Sequence, residues 1–532
     1  MKVAVLGCTG IIGQHMMISV PPGIEPLWVC RHGVGSLGIG LDLEDWPVAK
    51  RWLDDERPTV IVNLAGEARV DIVEADPASY EWINTRFPYE LGRWAEANDA
   101  HVVHVSTQAV YDGLRPPYKV GDAFGEPTNA YGRQKQFGEY GLVDATKNRT
   151  ILRPTFVLGI RPFQGLGRTN PAEMFLREKP VLPQVFDRYF SVSFAWDVAR
   201  VIWRAVETMP GEVALIGLPE RLNRYDVAKL VNSDADFHPV PAADYRPLAP
   251  AERPCDTTYA FSEPFGMRLT PLEHGLDRLR QEMRMSELER VANELAAFFN
   301  IYPAAAVMQI SGRFPDLHQL VSEDFRAATI NTEEELLDWY LGTQSYIWEL
   351  AAYHAGPGFN YEGKCDGIIE RLKAAAATSH VLNLGDGIGT LSLKMKEAGL
   401  EPLYSDLRHS RTAEFARARH CMRFGEDMWD GDYILLNDFT PRLLIGYQFD
   451  AITALDFLEH VPNVEEWVRA IFAALKPGGL FCAQNAFGIG SGPDGAMPMH
   501  LAVNDRFVTD WDPLLAKVGF VQESSNWYKR PE

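Results

Sequence analysis

Twice along this chain a short apolar run ends in a cluster of glycines and passes straight into a helical segment. Lys2–Leu6 leads into Gly7-Cys8-Thr9-Gly10-Ile11-Ile12-Gly13, and Val381–Leu384 leads into Gly385-Asp386-Gly387-Ile388-Gly389. A strand, a glycine turn and a helix N-terminus in that order make a backbone cradle. The glycines let the chain approach a ligand closely, and the first N–H groups of the helix point at it. Two such cradles in 532 residues leave room for two complete α/β domains.

The runs between the cradles fit that frame. KVAVLG, PLWVC, TVIVNLAG, HVVHVST and TILRPTFVLG are apolar without clean alternation, the pattern of strands buried on both faces of a parallel sheet. Tyr80 to Asn98 is expected to carry a crossover helix, with a break at Pro88. Residues 160–285 are richer in Pro and Arg and are expected to form a smaller lobe plus the last sheet strands, among them EVALIGL. From about Ser286 the period turns helical, in SELERVANELAAFF and TEEELLDWYLGTQSYIWELAAYHA. A second alternation then runs through HVLNLGDGIG, EPLYSDL, FDAITALDFLEH and GGLFCAQNAF. The expected architecture is α/β, two tandem Rossmann-like doubly wound domains at 1–284 and 341–532, joined by a helical segment at 285–340.

Composition narrows the partners. Lys and Arg total 51 against 72 Asp and Glu, a formal charge of −21, which works against a broad phosphate-neutralising surface. A small-molecule substrate is expected, and no nucleic acid. The six cysteines show no CxxC or other metal spacing and suit reduced thiols. The N-terminus is too Gly-rich for a secretory signal, and no apolar stretch approaches the roughly 20 residues of a membrane span. A cytoplasmic protein without a membrane partner is the expectation.

Around the first turn, Asp42 and Leu43 in GLDLED are placed to contact an adenine. Asn63-Leu64-Ala65-Gly66 ends a strand where a nicotinamide-side loop would lie. Ser106-Thr107 ends the next strand, and Tyr131-Gly132-Arg133-Gln134-Lys135 follows. On a helix, Tyr131 and Lys135 share one face. A lysine cation there is expected to favour phenolate and lower the tyrosine pKa, which suits carbonyl chemistry. At the end of the second strand Cys30 stands where an acidic residue would repel a 2′-phosphate, and Arg31 follows it. The expected cofactor is therefore NADP(H) in preference to NAD.

HVVHVSTQAVYDG, PY, EPTNAYGRQKQFGE, RPTFVLG and RPCDTTYAFSE together resemble the extended short-chain dehydrogenase/reductases of the dTDP-4-dehydrorhamnose reductase type, from Met1 to about Met283. The resemblance implies that Thr107 hydrogen-bonds the substrate carbonyl or hydroxyl, that Tyr131 donates the proton, and that Lys135 holds the nicotinamide ribose. Gln108 stands where these reductases usually have an acidic residue. Some relatives of this fold are non-catalytic regulatory subunits, and others pair through helices, so a homodimer is the assembly the resemblance carries.

The second turn is followed by Asp406 at the end of EPLYSD, where a carboxylate can accept both ribose hydroxyls of an adenosyl ligand. Phe449 to Val461 and Leu475-Lys476-Pro477-Gly478-Gly479 come after it. This order resembles the class I S-adenosylmethionine-dependent methyltransferases over about residues 340–532. The resemblance implies that Gly385, Gly387 and Gly389 cradle the methionine part, with Asp406 on the ribose and Leu455 and Asp456 beside the ligand. Asn383 replaces the family's usual acidic residue, with Asp386 as its expected substitute. His500 and His460 are the candidate bases for a hydroxyl acceptor, with Glu459 behind them. No His/Cys/Asp cluster has metal-ligand spacing, so no metal is expected. The aromatic residues Trp339, Tyr340, Tyr346, Trp348 and Tyr353 read as a helical packing face or as a lid over the methyl acceptor.

The combined expectation is a bifunctional tailoring enzyme, a ketoreductase fused to a methyltransferase. The alternative is a methyltransferase carrying a non-catalytic NADP-binding module.

Overall fold

The computed structural model of the chain describes residues 1–33, 37–177, 183–245, 251–312, 317–489, 491, 495 and 497–532. Two compact units emerge, Met1–Pro303 and Ala304–Glu532. The helical stretch between the two alternations is therefore divided. The helix Glu287–Phe299 belongs to the first unit, where it buries Val291, Ala292, Leu295 and Ala296, and the helices after Ala304 belong to the second.

The first unit is built on seven parallel strands: β1 (Lys2–Leu6), β2 (Glu25–Cys30), β3 (Ile39–Gly40), β4 (Val60–Asn63), β5 (His101–Val105), β6 (Arg149–Pro154) and β7 (Val213–Ile216). Their spatial order is β7-β6-β5-β4-β1-β2-β3. Every residue of β4 and β5 is buried, which is why these runs show no polar alternation. The order reverses between β1 and β4. Such a reversal opens a crevice beyond the C-terminal strand ends, so Gly7 and Leu64 are carried to its mouth.

Two helices position the site. Helix α1 (Ile11–Met17) starts directly from the glycine turn, and α2 (Ala130–Ala145) is capped by the Asn129 side chain, which accepts from the Gly132 N–H at 2.9 Å. The buried row Tyr131, Lys135, Glu139 and Leu142 fixes the rotation of α2. Glu139 pairs with Arg153 of β6 at 2.6 Å, with both side chains buried. Pro88 lies in the first turn of the helix Phe87–Asn98, just after a wide turn at Trp82–Arg86, so the expected break is present. The lobe beyond β6 has its own core around Phe175, Phe194, Trp196 and Leu276.

The second unit holds six strands: β8 (Val381–Leu384), β9 (Pro402–Ser405), β10 (Phe449–Leu455), β11 (Leu475–Gln484), β12 (Val521–Ser524) and β13 (Trp527–Lys529). Their order is β9-β8-β10-β11-β13-β12. The first four are parallel, and β13 and β12 close the edge antiparallel. The switch point lies between β8 and β10, at the C-terminal end of β8 where the second glycine turn begins. Helices α3 (Glu333–Gly342), α4 (Ser345–Ala355) and α5 (Thr390–Glu397) frame that end. All six cysteines are free, and among the described residues no single helix is long and apolar enough to cross a membrane.

Candidate active sites of the two units

The first glycine turn is held against the sheet by a hydrogen bond from the Gly7 N–H to the Val29 carbonyl at 2.8 Å. Gly7 has φ +86°, and a Cβ there would lie 2.9 Å from the Ala65 nitrogen. A Cβ on Gly13 would meet the Cys8 carbonyl oxygen at 2.3 Å, whereas Gly10 has space around it. Thus Gly7 and Gly13 are demanded by the protein's own packing, and Gly10 is left open toward a ligand.

A cavity of ≈ 1190 Å³ opens at this turn. Gly7, Gly10, Ile11, Ile12, Gly13, Arg31, Asp42, Leu43, Ala65, Gly66, Thr107, Tyr131 and Lys135 all line it. Asn63 does not. It is fully buried behind the wall, where its Oδ1 accepts from the Ala65 N–H at 3.1 Å and its Nδ2 faces His104 Nδ1 at 3.1 Å. Asn63 therefore shapes the loop. At the rim, Arg31 pairs with Glu44 at 2.6 Å and lies 3.8 Å from Asp42.

Lys135 Nζ donates to the Val105 carbonyl at 2.9 Å and lies 3.5 Å from His104 Nε2. Burial lowers its pKa to about 8, against the opposing pull of Glu139. The expected depression of the Tyr131 pKa is not found. Burial pushes it up to about 12, and the contact that lowers it is the Thr107 hydroxyl. Tyr131 accordingly holds its proton at neutral pH, the state a proton donor needs.

Sequence reasoning missed the far wall of this cavity, where Arg188, Arg224 and Arg253 gather. Arg253 pairs with Asp71 at 2.6 Å, and Arg224 donates to the Gln184 amide oxygen at 2.7 Å while burial lowers its pKa. The Arg-rich composition of residues 160–285 was the only signal. Ser106 Oγ and Gln108 Oε1 on the wall have no hydrogen-bond partner among the described residues.

In the second unit Gly385, Gly387 and Gly389 all adopt left-handed backbone, with φ of +64°, +53° and +77°. A Cβ on Gly385 would strike the Phe457 ring at 2.3 Å. Gly385 and Gly387 border a cavity of ≈ 290 Å³ together with Asp386, Asp406, Leu455, Asp456, Glu459, His460 and His500. Gly389 lies just behind this wall and starts α5. Asp386 caps that helix, accepting from the N–H groups of Leu391 and Ser392 at 3.2 and 2.8 Å. Asn383 is buried between Ser392 and Thr453, 2.8 Å from each.

Asp406 accepts from the Leu407 N–H at 2.6 Å, and burial raises its pKa to about 7. Asp456 holds φ +50°, a left-handed conformation for a non-glycine residue, and its carboxylate lies 3.5 Å from Lys364 Nζ. Such backbone is sparsely populated and clusters at functional sites.

Tyr340 and Tyr346 line the cavity, their hydroxyls 2.9 Å from His460 Nδ1 and 3.3 Å from His460 Nε2. Trp339 is buried below them, so the aromatic segment both packs and lines. Burial lowers the His460 pKa to about 3 and that of His500 as well, and raises that of Glu459 to about 8. A ring with a pKa near 3 accepts protons poorly at neutrality. Although the sequence shows no metal spacing, in space Glu459, His460 and His500 bring one potential ligand atom each within 4.8 Å of one another.

Fold and sites thus define a reductase-type α/β unit followed by a methyltransferase-type α/β unit. Residues 1–285 match the RmlD substrate binding domain family and residues 359–488 match a methyltransferase domain. The chain belongs to the RmlD substrate binding domain family and carries the methyltransferase domain in its second unit. A dTDP-4-dehydrorhamnose reductase of Sinorhizobium fredii (strain NBRC 101917 / NGR234) is 27% identical over 298 residues, 52% of this chain and 96% of that protein. A dTDP-4-keto-6-deoxy-D-glucose reductase of Streptomyces niveus is 32% identical over 158 residues, 29% of this chain and 52% of that protein. The methionine adenosyltransferase 2 subunit beta of Xenopus laevis is 33% identical over 159 residues, 30% of this chain and 47% of that protein.

Proposed function

We propose that the first unit is an NADPH-dependent reductase of a nucleotide-linked ketosugar and that the second methylates a hydroxyl of the same class of metabolite from S-adenosylmethionine. The observation that carries this reading is the presence of Thr107, Tyr131 and Lys135 on the wall of the cavity that the glycine turn opens. The residues fit both cofactors. Gly10 offers open backbone to a pyrophosphate, and the left-handed glycines and Asp406 offer backbone and a carboxylate to an adenosyl sulfonium.

NADPH supplies the hydride. Thr107 orients the carbonyl oxygen, Tyr131 hands it a proton, and the Lys135 ammonium stabilises the charge that Tyr131 leaves behind. Arg188, Arg224 and Arg253 suit the diphosphate of a nucleotide sugar, despite the chain's net charge of −21. The names of the two reductases above support that substrate class. S-adenosylmethionine supplies the methyl group, and the second cavity has to hold an acceptor oxygen in line with it. Reduction produces a hydroxyl, and methylation consumes one, which gives the fusion a chemical logic.

The test is NADPH oxidation with a panel of nucleotide-ketosugars, followed by mass spectrometry for a gain of one methylene when S-adenosylmethionine is added. The similarity to an adenosyltransferase beta subunit favours a second reading, in which the first unit binds NADP(H) without turnover. NADPH binding with no substrate turned over, and no effect of Tyr131→Phe, would select it.

A further inference from the structure

The proposed methyl transfer leaves three metal-ligating side chains of the second unit unused. Glu459 and His460 are consecutive in the turn Leu458–His460, and a backbone bond from the Leu501 N–H to the Glu459 carbonyl, 3.0 Å, brings His500 beside them. Asn504 pins the same turn, donating to the Val461 carbonyl at 2.9 Å and the Glu459 carbonyl at 3.2 Å. One donor atom from each of the three residues lies within 4.8 Å of the others, and all three line the cavity.

Two observations point to a ligand. Glu459 is 1% exposed, and one of its carboxylate oxygens accepts from the Ala486 N–H at 2.8 Å. The other, Oε2, is buried with no hydrogen-bond partner among the described residues, a costly arrangement for a carboxylate. The two imidazoles are also oriented alike. His500 Nδ1 lies 3.2 Å from the Ile489 carbonyl oxygen, and His460 Nδ1 lies 3.4 Å from that of Met499. A carbonyl only accepts, so the His500 ring carries its proton on Nδ1 and presents the Nε2 lone pair. His460 Nδ1 faces both the Tyr340 hydroxyl at 2.9 Å and the Met499 carbonyl, and its Nδ1–H tautomer is the one that presents Nε2 as a ligand. Carbonyls in this position commonly orient metal-ligating histidines.

We propose that Glu459, His460 and His500 form a site for a divalent transition cation that takes the oxygen of the methyl acceptor as a further ligand. Two imidazole nitrogens and one carboxylate suit Zn²⁺ and its borderline neighbours, whereas Mg²⁺ prefers oxygen donors. The three donor atoms lie within 4.8 Å of one another, and bonds of about 2.1 Å in a tetrahedron set an edge of about 3.4 Å. A cation on His460 Nε2 would replace the contact that this nitrogen makes with the Tyr346 hydroxyl at 3.3 Å. This inference rests on the methyl-transfer reading for its purpose. A cation bound to the acceptor hydroxyl lowers its pKa, and the proton passes to water. The new O–CH₃ bond then forms as the S–CH₃ bond breaks, and the electron pair stays on sulfur, which becomes a neutral thioether.

The test uses the full, untagged chain stripped with a chelator, titrated calorimetrically with Zn²⁺, Mg²⁺ and separately S-adenosylmethionine. The expected result is one Zn²⁺ per chain, with Mg²⁺ at least about 10-fold weaker. Glu459→Gln and His500→Ala should each weaken Zn²⁺ at least about 10-fold with S-adenosylmethionine binding retained, which also reports that the unit is folded. Methyl transfer by the stripped chain should fall at least about 10-fold and return with Zn²⁺. Co²⁺ added to the wild-type chain should give visible absorption of nitrogen and oxygen ligation, a readout that depends on no variant. If the chain binds S-adenosylmethionine but takes up no cation, gives no such Co²⁺ bands, or binds Zn²⁺ unaffected by both substitutions, the site is overturned and the methyltransferase reading stands. Zn²⁺ uptake at these residues without S-adenosylmethionine binding would instead keep the site and remove the methyl transfer.

Discussion

The Arg31 guanidinium is held 2.6 Å from the Glu44 carboxylate at the rim of the first cavity, with both side chains about half exposed. An exposed ion pair of this kind is worth about 0–1 kcal/mol, so a doubly charged phosphate arriving at the rim can displace Glu44 and take the guanidinium bidentately. Arg31→Ala should therefore weaken NADPH about 10-fold or more while changing NADH less than about 3-fold. Glu44→Gln should tighten NADPH. Fluorescence titration with both nucleotides checks each sign, and equal losses for NADPH and NADH would remove Arg31 from cofactor selection.

Tyr131→Phe should reduce turnover about 10²–10⁴-fold with NADPH affinity unchanged, the usual scale for losing a positioned proton donor. The pH profile carries a second sign. Burial holds the Lys135 pKa down at about 8 and the Tyr131 pKa up at about 12. As pH rises through about 8 the ammonium is lost while Tyr131 is still protonated. The rate of carbonyl reduction should fall on that limb, and Lys135→Arg should move the fall to higher pH.

Gly10→Ala and Gly13→Ala separate ligand demands from packing demands. A Cβ on Gly10 meets only the Gly7 carbonyl oxygen, at 3.7 Å, whereas one on Gly13 falls 2.3 Å from the Cys8 carbonyl oxygen. The first variant should keep its melting temperature and lose NADPH affinity. The second should lose about 1–3 kcal/mol of stability, the range for an overpacked site. Thermal melts beside nucleotide titrations distinguish them.

Asp406 offers a pH test of the second unit. Burial raises its pKa to about 7, so the ionised form that can accept from ribose hydroxyls disappears as pH falls through neutrality. S-adenosylmethionine affinity should decline below about pH 7 in the wild type. Asp406→Asn should be weaker at all pH and flat across this range. Calorimetric titration at several pH values gives the comparison.

Both sheets and both glycine turns were legible because each is a local pattern of burial followed by a turn. Tyr131 and Lys135 were legible for the same reason, since one helical turn separates them. What escaped was set by long-range packing. Asn63 was expected on the wall, but its amide is drawn inward by His104 on the neighbouring strand. Lys135 was expected to act on Tyr131 as a nearby charge, but burial dominates both pKa values, with Glu139 opposing it at Lys135 and the Thr107 hydroxyl opposing it at Tyr131. Asp386 lines the cavity as expected, but its capping of α5 was not foreseen. The meeting of His500 with Glu459 is made by contacts between segments far apart in sequence, the Leu501–Glu459 backbone bond and the Asn504 side chain among them, and no spacing rule could contain it. The helical stretch after Ser286 had no local mark of the division at Pro303, because capped amphipathic helices occur on both sides of it.

The left-handed backbone at Asp456 limits what evolution can write there. At φ +50° a β-branched or bulky residue is strained, whereas glycine, asparagine and aspartate are tolerated. Relatives sharing this turn should draw position 456 from those three, whatever each binds. A column that looks chemically invariant would then be in part stereochemical. An aspartate there would mark the shape of the chain before it marked a choice of ligand.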